Sequence, residues 1–220
     1  MANIKISAMT AATSVTATDQ LAAVVSTDSK SVTLEQVLMT KSLSDTRWDD
    51  IRVPVTSTKK AGSNDPHFAK IADDSSGSQG VFAELFDKTT EEELYFQVQM
   101  PHSWKIGTDI VAHVHWCPVD TDTGTIQWGL EYSMAEIDAV IGDSTLALST
   151  ATAAPGTAYQ HTLLDIVTID MSAVTSLSSI ISCRVYRNVA GDTYNEDAAL
   201  LEIDFHYEVD SLGSSTEFVK

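Results

Sequence analysis

From Ile51 onward the chain alternates between apolar and polar residues. "IRVPVTS" places Ile51, Val53 and Val55 on one side. "ELYFQVQM" sets Leu94, Phe96, Val98 and Met100 against Tyr95, Gln97 and Gln99. "TIQWGLEYSM" aligns Ile126, Trp128, Leu130, Tyr132 and Met134, and "SIISCRVYR" aligns Ile181, Cys183 and Val185 opposite Arg184 and Tyr186. In "LLEIDFHYEV", Leu201, Ile203, Phe205, Tyr207 and Val209 point one way and Glu202, Asp204, His206 and Glu208 the other. Period-two patterning of this kind predicts strands with one buried and one wet face. Turn-forming stretches separate them at 59–66, 73–80, 120–124, 153–157 and 189–197. About eight or nine strands and no long helix follow. The predicted fold is all-β, an antiparallel β-sandwich of jelly-roll type over residues 46–220.

Residues 1–45 follow a different rule. They are rich in Thr, Ser and Ala, and their apolar residues cluster only at Leu21–Val25 and Val32–Leu38. Two short strands, or a strand and a helical turn, are what such a segment can form, and it cannot fold alone. It is predicted to be an extended N-terminal arm that anchors or oligomerises, with Leu21, Val24, Val25, Val32, Leu34 and Val37 as its partner-binding residues.

Composition narrows the function. A chain of 220 residues with 43% hydrophobic residues can bury a substantial core. With 31 acidic against 13 basic residues, the formal net charge is -18. That opposes binding to nucleic acid, which needs cations to displace counterions, and to anionic membrane surfaces. It suits a solvated surface or a basic protein partner. Cys117 and Cys183 form no C-x-x-C pair, and two buried thiols are expected. The opening residues have no signal-peptide core, and no apolar run reaches the roughly 18 residues of a membrane span.

Candidate chemistry concentrates in "DIVAHVHWCP", 109–118. On a strand, His113 and His115 share a face with Val111 and Cys117, while Ala112, Val114 and Trp116 share the other. Two histidines at i and i+2 can chelate zinc or iron when a third ligand converges, and His102, Asp204, His206 and Glu208 are candidates. No H-E-x-x-H accompanies them. The reading adopted is that His113, His115 and His206 are structural, with no cofactor; a metal-dependent cupin-like enzyme is the rival.

Other motifs carry less. "DTDTG" places Asp120 and Asp122 as in an EF-hand loop, but Gly124 comes one position early, so a hairpin turn is predicted. "GDSTL" (142–146) resembles the nucleophile block of GDSL-type hydrolases but lacks the leucine after the serine and any βα context. "EELYFQV" (92–98), like a protease recognition site, reads as a strand. Asp192, Glu196 and Asp197 read as a solvated turn rather than a calcium loop. The sequence offers no case for catalysis.

Three stretches resemble a known class. Residues 5–37, with Thr16–Leu21, Ala22–Val25 and Lys30–Val37 in order, resemble the leader of bacteriophage fibre and virion proteins. "FQVQMPHSWKIGTDIVAHVHWCP" (96–118) and "LLEIDFHYEVDSLGSSTEFVK" (200–220) resemble segments of uncharacterised tailed-phage structural proteins. The resemblance covers about a third of the chain and carries no catalytic residues. In that frame Pro101, Gly107, Asp109 and Trp116 read as fold requirements, and "HVHW" and "DFHY" are strands whose histidines can meet in space.

The resemblance implies a non-enzymatic component of a tailed-phage virion. It would be a capsid decoration or fibre-base subunit, assembled in the host cytoplasm and attached by its arm to capsid or tail proteins. A homotrimer is the expected oligomer. A rival is a tail-fibre module that recognises surface glycans, with loop aromatics Trp104, Tyr159 and Tyr194 as its stacking platform. A small scaffold of cellular origin is another.

Overall fold

The computed structural model describes residues 20–25, 28–33, 46–72 and 79–217. The chain divides into two units, Met1–Thr46 and Arg47–Lys220. In the first, β1 (Gln20–Val25) and β2 (Asp28–Thr33) pair as an antiparallel hairpin, with Leu21 opposite Val32, Val24 opposite Ser29 and Val25 opposite Asp28. Leu34 and Val37, two of the expected partner contacts, lie outside the described residues, as does most of the 73–80 turn.

In the second unit the strands are β3 (Arg47–Pro54), β4 (His67–Ala72), β5 (Val81–Phe86), β6 (Glu93–Gln99), β7 (Ile110–Pro118), β8 (Thr125–Ile126), β9 (Trp128–Ala135), β10 (Thr145–Leu148), β11 (Thr152–Ala153), β12 (Thr162–Ile169), β13 (Ile180–Arg187) and β14 (Ala198–Val209). One sheet runs β12-β7-β14-β5-β4, with β3 paired to the distal half of β14; the other runs β10-β9-β13-β6. All pairings are antiparallel.

Strand order identifies the jelly roll. Eight strands (β5, β6, β7, β9, β10, β12, β13 and β14) step back and forth between the sheets, with only β9 and β10 consecutive in one. The resulting orders, β5-β14-β7-β12 and β6-β13-β9-β10, are those of the double Greek key. β3 and β4 extend the first sheet; β8 and β11 are a two-residue pair. The described body therefore holds more strands than the eight or nine expected, around a core of eight.

The core lies between the sheets, where the predicted faces meet. Leu94, Phe96 and Val98 come from β6, Trp128 and Leu130 from β9, and Ile181, Cys183 and Val185 from β13. Ala112, Val114 and Trp116 of β7 oppose them, with Ile203, Phe205 and Tyr207 of β14. Aromatic pairs span the gap: Phe86 meets Trp128 edge-on at 5.0 Å and Phe96 meets Phe205 at 6.1 Å.

A β-bulge in β14 changes which residues share a face. The bulge between Leu200 and Glu202 lets both Leu200 and Ile203 point inward. Leu201, expected to share the face of Ile203, instead packs outside with Ala83, Cys117 and Ala199. Cys117 and Cys183 therefore belong to different clusters, and both are free thiols. Burial raises Cys117 to about 11 and Cys183 to about 12.

The link between β6 and β7 folds as its residues suggest. Trp104 N–H bonds the Pro101 carbonyl, Thr108 N–H bonds the Lys105 carbonyl, and Gly107 takes the left-handed backbone (φ 80°) that this turn requires. Asp109 accepts the Met171 N–H at 3.2 Å, and Trp104 and Trp116 are buried.

Candidate functional site

The outer face of the first sheet carries a histidine–aspartate cluster built by strand register. Across β12, β7, β14 and β3, one row reads Asp165, His113, Asp204, Arg52. The neighbouring rows hold Leu163, His115, Glu202, Pro54 on one side and Thr168, Val111, His206, Asp50 on the other. Paired residues share a face, so His113 and His115 of β7 meet Asp204 and His206 of β14, with Asp165 and Asp50 flanking. His161, just before β12, completes the group.

The contacts form a connected chain. His115 Nε2 lies 3.2 Å from Asp204 Oδ2, and its Nδ1 lies 2.7 Å from His161 Nε2. His113 Nε2 touches Asp204 Oδ1, and its Nδ1 is 4.0 Å from Asp165 Oδ1. His206 Nε2 lies 2.8 Å from Asp50 Oδ1. The His113 ring meets His206 edge-on at 4.2 Å between centroids and His115 at 5.5 Å.

Burial is graded. His113 is 0% and Asp204 3% exposed, whereas His115 and His206 are partly exposed. Burial pushes the Asp204 carboxyl up, but hydrogen bonding and charge from His113, then His115, outweigh it and hold the group below its ordinary value. Asp204 was predicted to face water with Glu202 and Glu208; it is instead buried against two imidazoles. His113 Nε2 and Asp204 Oδ1 are each other's partners, whereas His113 Nδ1 makes no hydrogen bond. Beside the cluster a surface hollow of about 460 Å³ is lined by Asp50, Arg52, His115, His161, Glu202 and Asp204, among others. Arg52 is held there by a two-pronged pair with Glu202, at 2.6 and 2.8 Å.

The sequence candidates divide. His113, His115, Asp204 and His206 come together. His102 does not: its ring bonds Ser178 and Ser214. Glu208 pairs with Lys105 at 2.6 Å. Asp50, His161 and Asp165 were missed, because only the register of β3 and β12 brings them in. Spacing offers one signal after the fact: His161 and Asp165 lie four apart, as same-face strand residues do.

The aromatic platform is corrected. Trp104 is 0% exposed and donates from Nε1 to the Thr108 carbonyl at 3.1 Å. Tyr194 is 2% exposed, edge-on to Trp116, and its hydroxyl bonds Asp120 at 2.9 Å. Both sit on links that fold back over the sandwich, so loop position did not mean exposure. Tyr159 alone of the three is exposed, at 49%.

The acidic turn is likewise not simply solvated. Asp192 is engaged by Arg187 through Nε at 2.7 Å and Nη2 at 3.2 Å, and both are buried. Asp120 and Asp122 cap their own turn, accepting N–H bonds from Asp122 and Gly124.

No protein-family model and no curated protein sequence matches the chain. Among solved structures it is similar to an isomalto-dextranase of Arthrobacter globiformis T6 complexed with panose, at 14% identity and TM-score 0.41, over 71% of this chain and 23% of that one. It is similar to a structure from infectious bursal disease virus Gx strain at 9% identity and TM-score 0.37, over 89% of this chain and 39% of the other. TmCBM61 in complex with β-1,4-galactotriose matches at 13% identity and TM-score 0.31, over 77% of this chain and 92% of that module. The chain thus spans less than half of the first two. Its assignment as a jelly roll stands on its own strand order.

Proposed function

We propose that this chain is a non-enzymatic structural subunit of a tailed-phage virion, a capsid decoration or fibre-base protein attached through residues 1–45. The observation that carries this reading is the division of the chain. All eight jelly-roll strands lie within Arg47–Lys220, and the β1–β2 hairpin belongs to the other unit. A body with a closed core and a separate leading segment suits presentation on a larger particle. The phage-like stretches at 5–37, 96–118 and 200–220 support it.

So does the surface of the β9–β10 connection and of β10 itself, where Ile137, Val140 and Ile141, then Leu146 and Leu148, are exposed, Val140 at 89%. Apolar residues clustered at a surface mark places where another protein sits. Attachment works by several weak arms engaging together, in a homotrimer for instance. The test deletes residues 1–45 and asks whether the remaining body joins particles. Loss of incorporation with an intact fold is expected; a truncated chain that assembles normally sinks the anchoring role.

One observation favours a second reading, a glycan-binding module. On the outer face of the second sheet, Tyr95 is exposed beside Gln97 and Ser182, over an open groove of about 400 Å³. Arg184 lies 4.2 Å from the Tyr186 ring and pairs with Glu91, Glu93 and Glu131. An aromatic ring among fixed hydrogen-bonding groups suits a sugar face. Glycan-array binding abolished by Tyr95→Ala supports this reading, and an array silent for the intact chain removes it.

A further inference from the structure

We infer that His113, Asp204 and His206 bind a divalent transition-metal ion of the zinc class. The inference is independent of the virion reading, since a structural subunit and an enzyme can both carry such a site. One ligand atom from each residue lies within 4.8 Å of the other two. Among the described residues this is the one such group of His, Cys, Asp and Glu.

The second observation is buried polarity. The fully buried His113 meets Asp204 Oδ1 through Nε2, while its Nδ1 has no hydrogen bond. A buried carboxylate and imidazole are kept only where their charge and lone pairs are matched. A cation satisfies the imidazole lone pair and the carboxylate oxygen together.

The outer partners are placed as a metal site needs them. His115 Nε2–H donates to Asp204 Oδ2, which leaves Oδ1 for the ion. Asp50 accepts from His206 Nε2–H, which leaves the Nδ1 lone pair free. Carboxylate behind histidine and histidine behind carboxylate fix the tautomer and raise ligand basicity. His206 is the half-exposed member; zinc bonds of roughly 2.0–2.2 Å require its ring to turn inward and the His113–Asp204 contact to open around the ion. Two imidazoles and one carboxylate select zinc, cobalt or nickel over magnesium and calcium, which take oxygen donors. Three ligands leave a further position for water.

The test uses the full chain without a histidine tag, stripped with chelator and dialysed. Zn²⁺ titrated by calorimetry is expected to bind at one ion per chain, and Co²⁺ to give visible d–d absorption. Mg²⁺ and Ca²⁺ are expected to give neither response. Asp50→Asn, which leaves all three ligands in place, is expected to weaken Zn²⁺ binding by about 10–100-fold. His206→Ala, at a surface ring, is expected to abolish it while the circular dichroism spectrum is kept. His102→Ala, outside the cluster, is expected to change nothing. Should His113 and Asp204 form only a buried ion pair, the intact chain will bind no Zn²⁺, and the inference fails. It fails equally if one Zn²⁺ per chain persists at undiminished affinity in a folded His206→Ala.

Discussion

Replacing Arg187 with methionine tests how the 188–197 loop is held. The guanidinium is fully buried, and every one of its N–H donors has an acceptor. Nε and one Nη2 proton go to Asp192; the other Nη2 proton goes to the Tyr194 carbonyl at 2.6 Å. Nη1 donates to the Phe86 and Glu196 carbonyls at 3.0 and 2.8 Å. Methionine fills much of the space but leaves Asp192 as a buried, unpaired carboxylate beside orphaned carbonyls. Removing one partner of a buried pair costs about 3–5 kcal/mol. That is a large share of the roughly 5–15 kcal/mol that holds a domain together.

Urea unfolding followed by tryptophan fluorescence measures it. At a slope of roughly 2 kcal/mol per molar urea, the midpoint should fall by about 1.5–2.5 M. The cause is charge, so Arg187→Met combined with Asp192→Asn should recover more than about 1 kcal/mol. Asn keeps the oxygen that accepts the Tyr194 N–H at 2.7 Å. A single-variant loss below about 1 kcal/mol, or a double variant no better than the single, refutes the argument.

Gly129 sits under the Tyr186 ring, where an added Cβ would lie 2.1 Å from Cζ, so Gly129→Ala should destabilise the body by about 1–3 kcal/mol in the same urea assay. Cys117 and Cys183, raised to about 11 and 12 by burial, should not react with Ellman's reagent at pH 8 until the chain is unfolded. The Asp87 carboxyl is held below its ordinary value, first by the Thr89 hydroxyl and then by the Thr89 N–H. Its stabilisation is therefore complete above the unfolded value of about 3.9 and is lost as pH falls through the lower folded value. Asp87→Ala should accordingly lower stability at pH 7 and flatten its decline below about pH 4, read from thermal melts across pH.

Alternation exposed β6, β7, β9, β13 and the far half of β14, because each has one face in the core and no irregularity. Strands whose period breaks were harder to read. In β12 a bulge between Asp165 and Val167 separates Leu164 and Ile166 from Ile169, so buried residues do not recur at a constant spacing. In β5 the burial is Ala83, Glu84 and Phe86, with Phe82 outside and stacked on Phe68 at 5.7 Å. Leu201 looked like core because pattern alone cannot place a bulge. The jelly roll itself is a statement about which strands neighbour which, and that lies in long-range pairings rather than in any local period.

The same distinction explains the histidine cluster. His113 with His115, and Asp204 with His206, were legible as same-face pairs because each pair lies within one strand. That they meet depends on β7 pairing β14 with His113 opposite Asp204, a register that the bulge at Leu201 helps to set. Shifting this pairing by one residue would turn Asp204 and His206 into the core and Ile203 and Phe205 out to water. The apolar face therefore enforces the alignment that holds the polar group together. The cluster's position is a consequence of core packing, while its composition is not: Val, Thr or Lys at 113 and 206 would satisfy the same register. Four imidazoles and three carboxylates gathered on one outer face, with the central histidine fully buried against Asp204, call for a reason other than folding. A bound cation supplies that reason with the residues already in place.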